Sequence, residues 1–173
     1  MINYNIFLIG MMGSGKTTVG KKLSKKLKMN FVDIDYQIES IMSMSISQIF
    51  NEFGENRFRA MESSYFIEKS KENGIVFSTG GGIINNKNNR ACLLNNGISF
   101  FLDTSIEILV KRIENCTKRP LLEKSLNLKK DMLKIWDQRK HYYINCASHI
   151  IKTDVYNSDL IVNKITKIIN ENN

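Results

Sequence analysis

Gly10-Met11-Met12-Gly13-Ser14-Gly15-Lys16-Thr17 decides the reading of this chain. The octet matches Gly-x-x-x-x-Gly-Lys-[Ser/Thr], in which glycines let backbone amides turn inward on an anion while the lysine and the hydroxyl reach phosphates and Mg²⁺. Its flanks agree with that reading. Tyr4 to Ile9 is a short apolar run of buried-strand character, and Val19, Leu23 and Leu27 then recur at a spacing of four, as on the inner face of a helix. A glycine turn that only joins strand to helix explains the glycines and leaves Lys16-Thr17 without a reason. Nucleotide phosphates are therefore expected on Gly13, Ser14, Gly15, Lys16, Thr17 and Thr18, with Thr17 also facing the metal.

Outward from the loop, strand and helix patterns alternate. Asn30 to Asp33, Ile75 to Ser78, Ile98 to Leu102 and His149 to Ile151 read as further buried strands. Ile106, Leu109, Val110 and Ile113 repeat at helical spacing, and Leu160, Ile161, Ile165, Ile168 and Ile169 mark a C-terminal helix. This alternation predicts an α/β fold, a parallel sheet covered by helices on both faces. Two regions interrupt it. Asp35 to Lys71 holds two or three helices, and Asn115 to Asn127 contains Pro120, the only proline, before a helix from about Leu128 to Tyr143. Insertions on a rigid sheet are where binding surfaces and lids sit. The chain is read as one domain, 1–173, with a substrate-binding segment at about 34–72 and a lid at about 114–127.

The bulk numbers set limits. The 173 residues suit a single domain, and 42% hydrophobic residues is ordinary for a globular chain. No run reaches the ~18 apolar residues of a membrane span, and no basic region precedes an apolar run at the N-terminus, so the expectation is a cytoplasmic protein with no membrane partner. Cys92, Cys116 and Cys146 are odd in number and widely spaced, and they form neither a metal pattern nor a disulfide framework. The net charge of +8 is compatible with nucleic acid or with a highly anionic small-molecule complex. Much of it sits on Lys21, Lys22, Lys25, Lys26 and Lys28, a run that reads most simply as a solvated helix face.

Acceptor residues come from elsewhere in the chain. Phe31-Val32-Asp33-Ile34-Asp35 closes the second strand, and alternation there puts Asp33 and Asp35 on one face at a C-terminal sheet edge, where open α/β sheets bind ligands. One carboxylate is suited to organising Mg²⁺ and the other to accepting a hydroxyl proton. Asp35 as a simple helix cap is the alternative. Arg59 and Glu62 are neighbours at i,i+3 on a helix. Gly80-Gly81-Gly82 follows the third strand and allows close backbone approach to a ligand. Arg119, in the irregular segment, is placed to fold over the transferring phosphoryl group, and Arg139 is a second anion clamp.

Taken in order, these residues resemble the shikimate kinase family over nearly the whole chain. The phosphate loop is generic. The combination of Asp33-Ile34-Asp35, Phe58-Arg59 with Glu62, the triple glycine, Arg119-Pro120-Leu121-Leu122 and Arg139 is not. The resemblance implies a P-loop NTPase-type three-layer sandwich with five parallel strands in the order 2-3-1-4-5. It implies that Asp33 holds Mg²⁺ through water beside Thr17, that Asp35 binds the substrate hydroxyls, and that Arg59 and Arg139 hold the substrate carboxylate. Gly80, Gly81 and Gly82 lend amides, Glu62 orients Arg59, Arg119 closes onto the phosphates and Arg112 stacks on adenine. The catalytic set is then Lys16, Asp35 and Arg119. Departures from the family pattern are Ser43, where glycine is common, and the stretch 152–157, which lacks the usual arginine and proline. The activity implied is phosphoryl transfer from ATP to the 3-hydroxyl of shikimate by a monomer. The rivals are a kinase of gluconate or of a nucleoside monophosphate, and a nucleic-acid-binding ATPase. The last lacks any base-reading module.

Overall fold

A computed structural model describes residues 2–114, 127–155 and 157–171. Five strands form one parallel sheet: β1 (Asn5–Ile9), β2 (Asn30–Asp33), β3 (Ile75–Ser78), β4 (Gly97–Asp103) and β5 (His149–Lys152), in the order β2-β3-β1-β4-β5. The expected strand order holds, and the spans differ only at their ends: β1 starts one residue later than expected, and β4 and β5 each run slightly further. The helices are α1 (Lys16–Leu27), α2 (Ile34–Met42), α3 (Ile46–Lys69), α4 (Lys87–Asn95), α5 (Ile106–Glu114), α6 (Leu128–Cys146) and α7 (Ser158–Glu171). Among the described residues no helix is long and apolar enough to cross a membrane.

The parity of each strand sorts its side chains between two cores. Ile6 and Leu8 of β1, Val76 of β3, and Phe100 and Leu102 of β4 pack with Val19 and Leu23 of α1 and with Ile161, Val162, Ile165 and Ile169 of α7. Phe7, Ile9, Phe77 and Phe101 face the opposite way, toward α3, α4 and α6, with Phe66, Leu93 and Tyr143. Residues 6–9 of β1 are 0% exposed because that strand is central and covered on both sides. Burying these four apolar side chains is worth on the order of 10 kcal/mol, at roughly 1.5–3 kcal/mol each.

β1 lies between β3 and β4, so the chain turns in opposite directions on its two sides. The crevice beyond its C-terminal end is the topological switch point of the sheet, and the glycine-rich octet leaves β1 there. Helix α1 begins on Gly15 at φ 93°, with no side-chain cap and no acid in its first turn. Its first amides therefore stay available to an anion.

The segment after β2 folds as helices, as the sequence indicated, and one detail differs. β2 ends at Asp33, whose carboxylate caps α2 by accepting from the Tyr36 amide (3.3 Å), and Asp35 sits in the first turn of that helix. The two aspartates are thus not on one face of a strand. A capping carboxylate competes better for the chain at this point than one more pair of ladder hydrogen bonds. α2 ends on Ser43 at φ 51°, the residue that replaces the usual glycine. α3 starts with a capping box between Ser45 and Gln48 and breaks at Gly54, φ 78° and ψ 163°, a conformation open to glycine alone. Helix α4 was not anticipated. Its buried face carries Asn89, which donates to Ser63 Oγ (3.0 Å) and to the Ile83 carbonyl (3.0 Å), so the apolar periodicity is interrupted by an asparagine.

Candidate active site

Three segments meet at the switch point. The octet supplies Lys16, whose ammonium is buried and donates to the carbonyls of Gly10 and Met11, each at 2.9 Å. Thr17 and Thr18 are exposed at the mouth of the loop. The Thr17 hydroxyl donates to Asp33 Oδ2 at 2.6 Å and lies 3.3 Å from Ser78 Oγ at the end of β3. Ser78 was missed as a contributor because its partner is distant in sequence. Arg112 of α5 reaches across and donates to the Gly13 carbonyl at 3.1 Å, which puts it on the rim of the phosphate loop.

The second segment is the α2–α3 insertion. Arg59 lies between two carboxylates. Its Nη1 donates to Glu62 Oε2 at 2.8 Å, and its Nε and Nη2 donate to Glu55 Oε1 at 3.2 and 3.1 Å. Glu62 is only 1% exposed. Burial pushes its carboxyl pKa up, and Arg59 works against that. Asp35 is half-buried nearby. Its pKa is pushed up from the ordinary 3.8 to about 7, first by loss of solvent and then by the carboxylates of Glu62 and Asp33, while Lys16 and Arg59 pull it down. A carboxyl poised near neutrality, within reach of the Lys16 ammonium, suits a group that takes a proton.

The third segment is the triple glycine. A β-carbon on Gly80 would collide with the Glu62 carboxylate and lie 2.8 Å from Asp35 Oδ1, and one on Gly82 would strike the Arg59 guanidinium. One on Gly81 would lie 3.2 Å from the Met12 amide nitrogen of the phosphate loop. Glycine is required here by proximity: any side chain would occupy the room in which the two acids and the arginine converge. Arg139, buried on α6, donates to the Gly81 carbonyl at 3.1 Å. Lys16, Asp35, Arg59, Gly80, Gly81, Gly82 and Arg139 are therefore brought to one crevice, with Thr17 and Asp33 paired beside it. Arg119 and most of the expected lid, 114–127, lie outside the described residues. Glu55 lies one helical turn before Arg59, and Tyr143, which like Ser78 sequence reasoning did not single out, lies one turn after Arg139. Both stand at the i±4 spacing that marks a supporting neighbour.

Comparisons with known proteins point to one family. The family model described as shikimate kinase matches residues 12–170. The chain is 38% identical over 169 residues to a shikimate kinase of Haemophilus influenzae, covering 98% of this chain and 94% of the relative. It is 36% identical over 167 residues to one of Vibrio parahaemolyticus, covering 96% of each. Among solved structures, shikimate kinase from Acinetobacter baumannii in complex with shikimate superimposes with a TM-score of 0.94 at 34% identity, covering 98% of this chain and 94% of that one. The phosphate loop, the buried Arg59–Glu62 pair, the glycine crevice and the full-length matches lead to one assignment: this chain belongs to the shikimate kinase family.

Proposed function

We propose that the protein transfers the γ-phosphoryl group of ATP to the 3-hydroxyl of shikimate, giving shikimate 3-phosphate and ADP. The observation that carries this reading is the convergence of Asp35, Arg59 and Arg139 around three glycines beside Lys16. A hydroxy acid needs a carboxylate clamp and a proton acceptor close to a phosphate loop. A nucleoside monophosphate would need further phosphate-binding arginines.

In this reading the shikimate carboxylate lies between Arg59 and Arg139, and the amides of Gly80 to Gly82 close around the ring. Asp35 accepts hydrogen bonds from the ring hydroxyls and takes the 3-hydroxyl proton as the new O–P bond forms and the bridge to the β-phosphate breaks. Lys16 exchanges its loop carbonyls for the β- and γ-phosphates. Gly13, Ser14, Gly15, Thr17 and Thr18 hold the phosphates through amides and hydroxyls, Arg112 flanks the nucleotide, and Arg119 closes onto the transferring group. Positioning and charge neutralisation supply most of the rate.

The Thr17 and Asp33 oxygens, 2.6 Å apart with Ser78 Oγ close by, are hard donors suited to Mg²⁺. Among the described residues no cluster of three His, Cys, Asp or Glu side chains competes for a metal. That donor set suits a magnesium held partly by the protein and partly by nucleotide phosphates. Bound there, it would neutralise phosphate charge. We place the enzyme in the cytoplasm as a monomer. The test is ADP release against a panel of shikimate, gluconate, nucleoside monophosphates and oligonucleotides, with and without Mg²⁺. Release that requires Mg²⁺ and shikimate together is expected. Release driven by gluconate or a monophosphate would refute the acceptor assignment.

A further inference from the structure

The Gly81 carbonyl accepts two hydrogen bonds from α6. Arg139 Nη1 donates at 3.1 Å and the Tyr143 hydroxyl at 2.5 Å. Arg139 and Tyr143 thus share one acceptor, and the guanidinium lies close enough to work against the rise in the phenol's pKa. Tyr143 is 0% exposed. Its ring stacks on Phe101 at 5.1 Å and 8°, and Trp136 lies 6.3 Å away at 22°. The remaining contact of its oxygen is the Met11 sulfur of the phosphate loop, at 3.8 Å. Burial pushes its pKa up to about 12, so the phenol is a permanent donor.

The peptide joining Gly81 to Gly82 is trans, so its N–H points opposite to its carbonyl. Two donors holding the Gly81 oxygen toward α6 turn the Gly82 amide away from α6. Glycines have the greatest backbone freedom of any residue, and without a fixed oxygen this plane would rotate. A stacked, immobile phenol is a better anchor for it than a long arginine that must also hold a ligand.

We propose that Tyr143 is a positioning residue for acceptor recognition, fixing the Gly81 carbonyl to which Arg139 also donates and so setting both the Arg139 guanidinium and the Gly81–Gly82 peptide plane. This rests on the reading of Arg139 as part of the carboxylate clamp. Tyr143 itself touches no reacting atom. Its loss should therefore appear in acceptor binding, and neither in nucleotide binding nor in the chemical step.

The experiment is Tyr143→Phe, with calorimetric titration of shikimate, of a shikimate analogue whose carboxylate is replaced by hydroxymethyl, and of a non-hydrolysable ATP analogue, together with steady-state kinetics. Shikimate Kd and KM should rise roughly 3- to 10-fold, the effect of one lost buried hydrogen bond. kcat and nucleotide Kd should stay within about twofold of the parent, and the carboxylate-free analogue should bind both proteins alike. In a cycle with Arg139→Lys, the double variant should lose less than the product of the single losses. Unchanged shikimate binding in Tyr143→Phe overturns the proposal alone, since the parent still binds. A parent that does not bind shikimate overturns the functional reading and this proposal with it. Equal losses for shikimate and nucleotide, or a Tyr143→Phe protein that does not fold, assign the hydroxyl to the scaffold and also overturn it.

Discussion

Asp35→Asn should cripple turnover and at the same time stabilise the ligand-free protein at alkaline pH. In the folded state the Asp35 carboxyl is held near 7, against an ordinary 3.8, by burial and by the neighbouring Glu62 and Asp33. Below the lower value both folded and unfolded chains carry the proton, and the site costs nothing. Between the two values the unfolded chain ionises while the folded one keeps its proton, so stability falls as pH rises. Above about 7 the cost is complete. At ~1.4 kcal/mol per pH unit it reaches about 4 kcal/mol at pH 8 and about 1.5 kcal/mol at pH 5. Asparagine keeps the shape and removes the charge. Asp35→Asn should therefore gain up to about 4 kcal/mol at pH 8, a rise in Tm on the order of 8–16 °C for a chain of this size, and less than half of that at pH 5. Loss of the proton acceptor should lower kcat roughly 10²- to 10³-fold. The assay is thermal unfolding of parent and variant with chelator and without nucleotide across pH 5–8, with kcat measured under saturating ligands. A variant no more stable than the parent at pH 8, or a gain that does not change with pH, would show that the carboxylate is not strained in the free protein.

Other outcomes follow from the same crevice. Lys16→Ala should nearly abolish turnover while circular dichroism stays that of the parent, because the Lys16 ammonium donates to the Gly10 and Met11 carbonyls and to Ser14 Oγ, all within the loop itself. Retained activity would remove the octet from the mechanism. Arg59→Ala and Arg139→Ala should each weaken shikimate binding by about 2–5 kcal/mol and leave ATP binding nearly unchanged in titration calorimetry. Only Arg59→Ala should also lower unfolding free energy by about 3–5 kcal/mol, since it strands the buried Glu62. Equal denaturant midpoints for the two would contradict the pairing. Ser43→Gly should raise stability by about 1 kcal/mol without altering kcat, because Ser43 ends α2 at φ 51°. A loss of stability would mean that its side chain contributes more than its strained backbone costs.

Much of this was legible in the sequence because the signals are local. The octet, the strand runs and the i,i+3 pair Arg59–Glu62 each declare themselves within a few residues. Asp33 and Asp35 were placed correctly in space and incorrectly on the strand. Alternation predicts a shared face only while the strand continues, and the cap on Tyr36 ends it at Asp33. Helix α4 escaped because an asparagine occupies its inner face. Ser78 and Tyr143 escaped for a different reason. Their partners, Thr17 and Gly81, are 61 and 62 residues away, and no periodicity connects them. A hydroxyl in an apolar run looks like a tolerated polar residue until the sheet order is known.

The stacked trio of Phe101, Trp136 and Tyr143 has an optical consequence. Trp136 is the only tryptophan in the chain, so all indole emission originates next to the helix turn that carries Arg139. The Lys140 ammonium lies 5.9 Å from the centre of that ring. A change in how α6 sits on β4 would shift both the stacking and this nearby positive charge, and with them the emission wavelength and yield. The protein thus carries a label-free fluorescent reporter on α6, and a stopped-flow trace excited near 295 nm (roughly where indole alone absorbs) would follow movement there with no chromophore added.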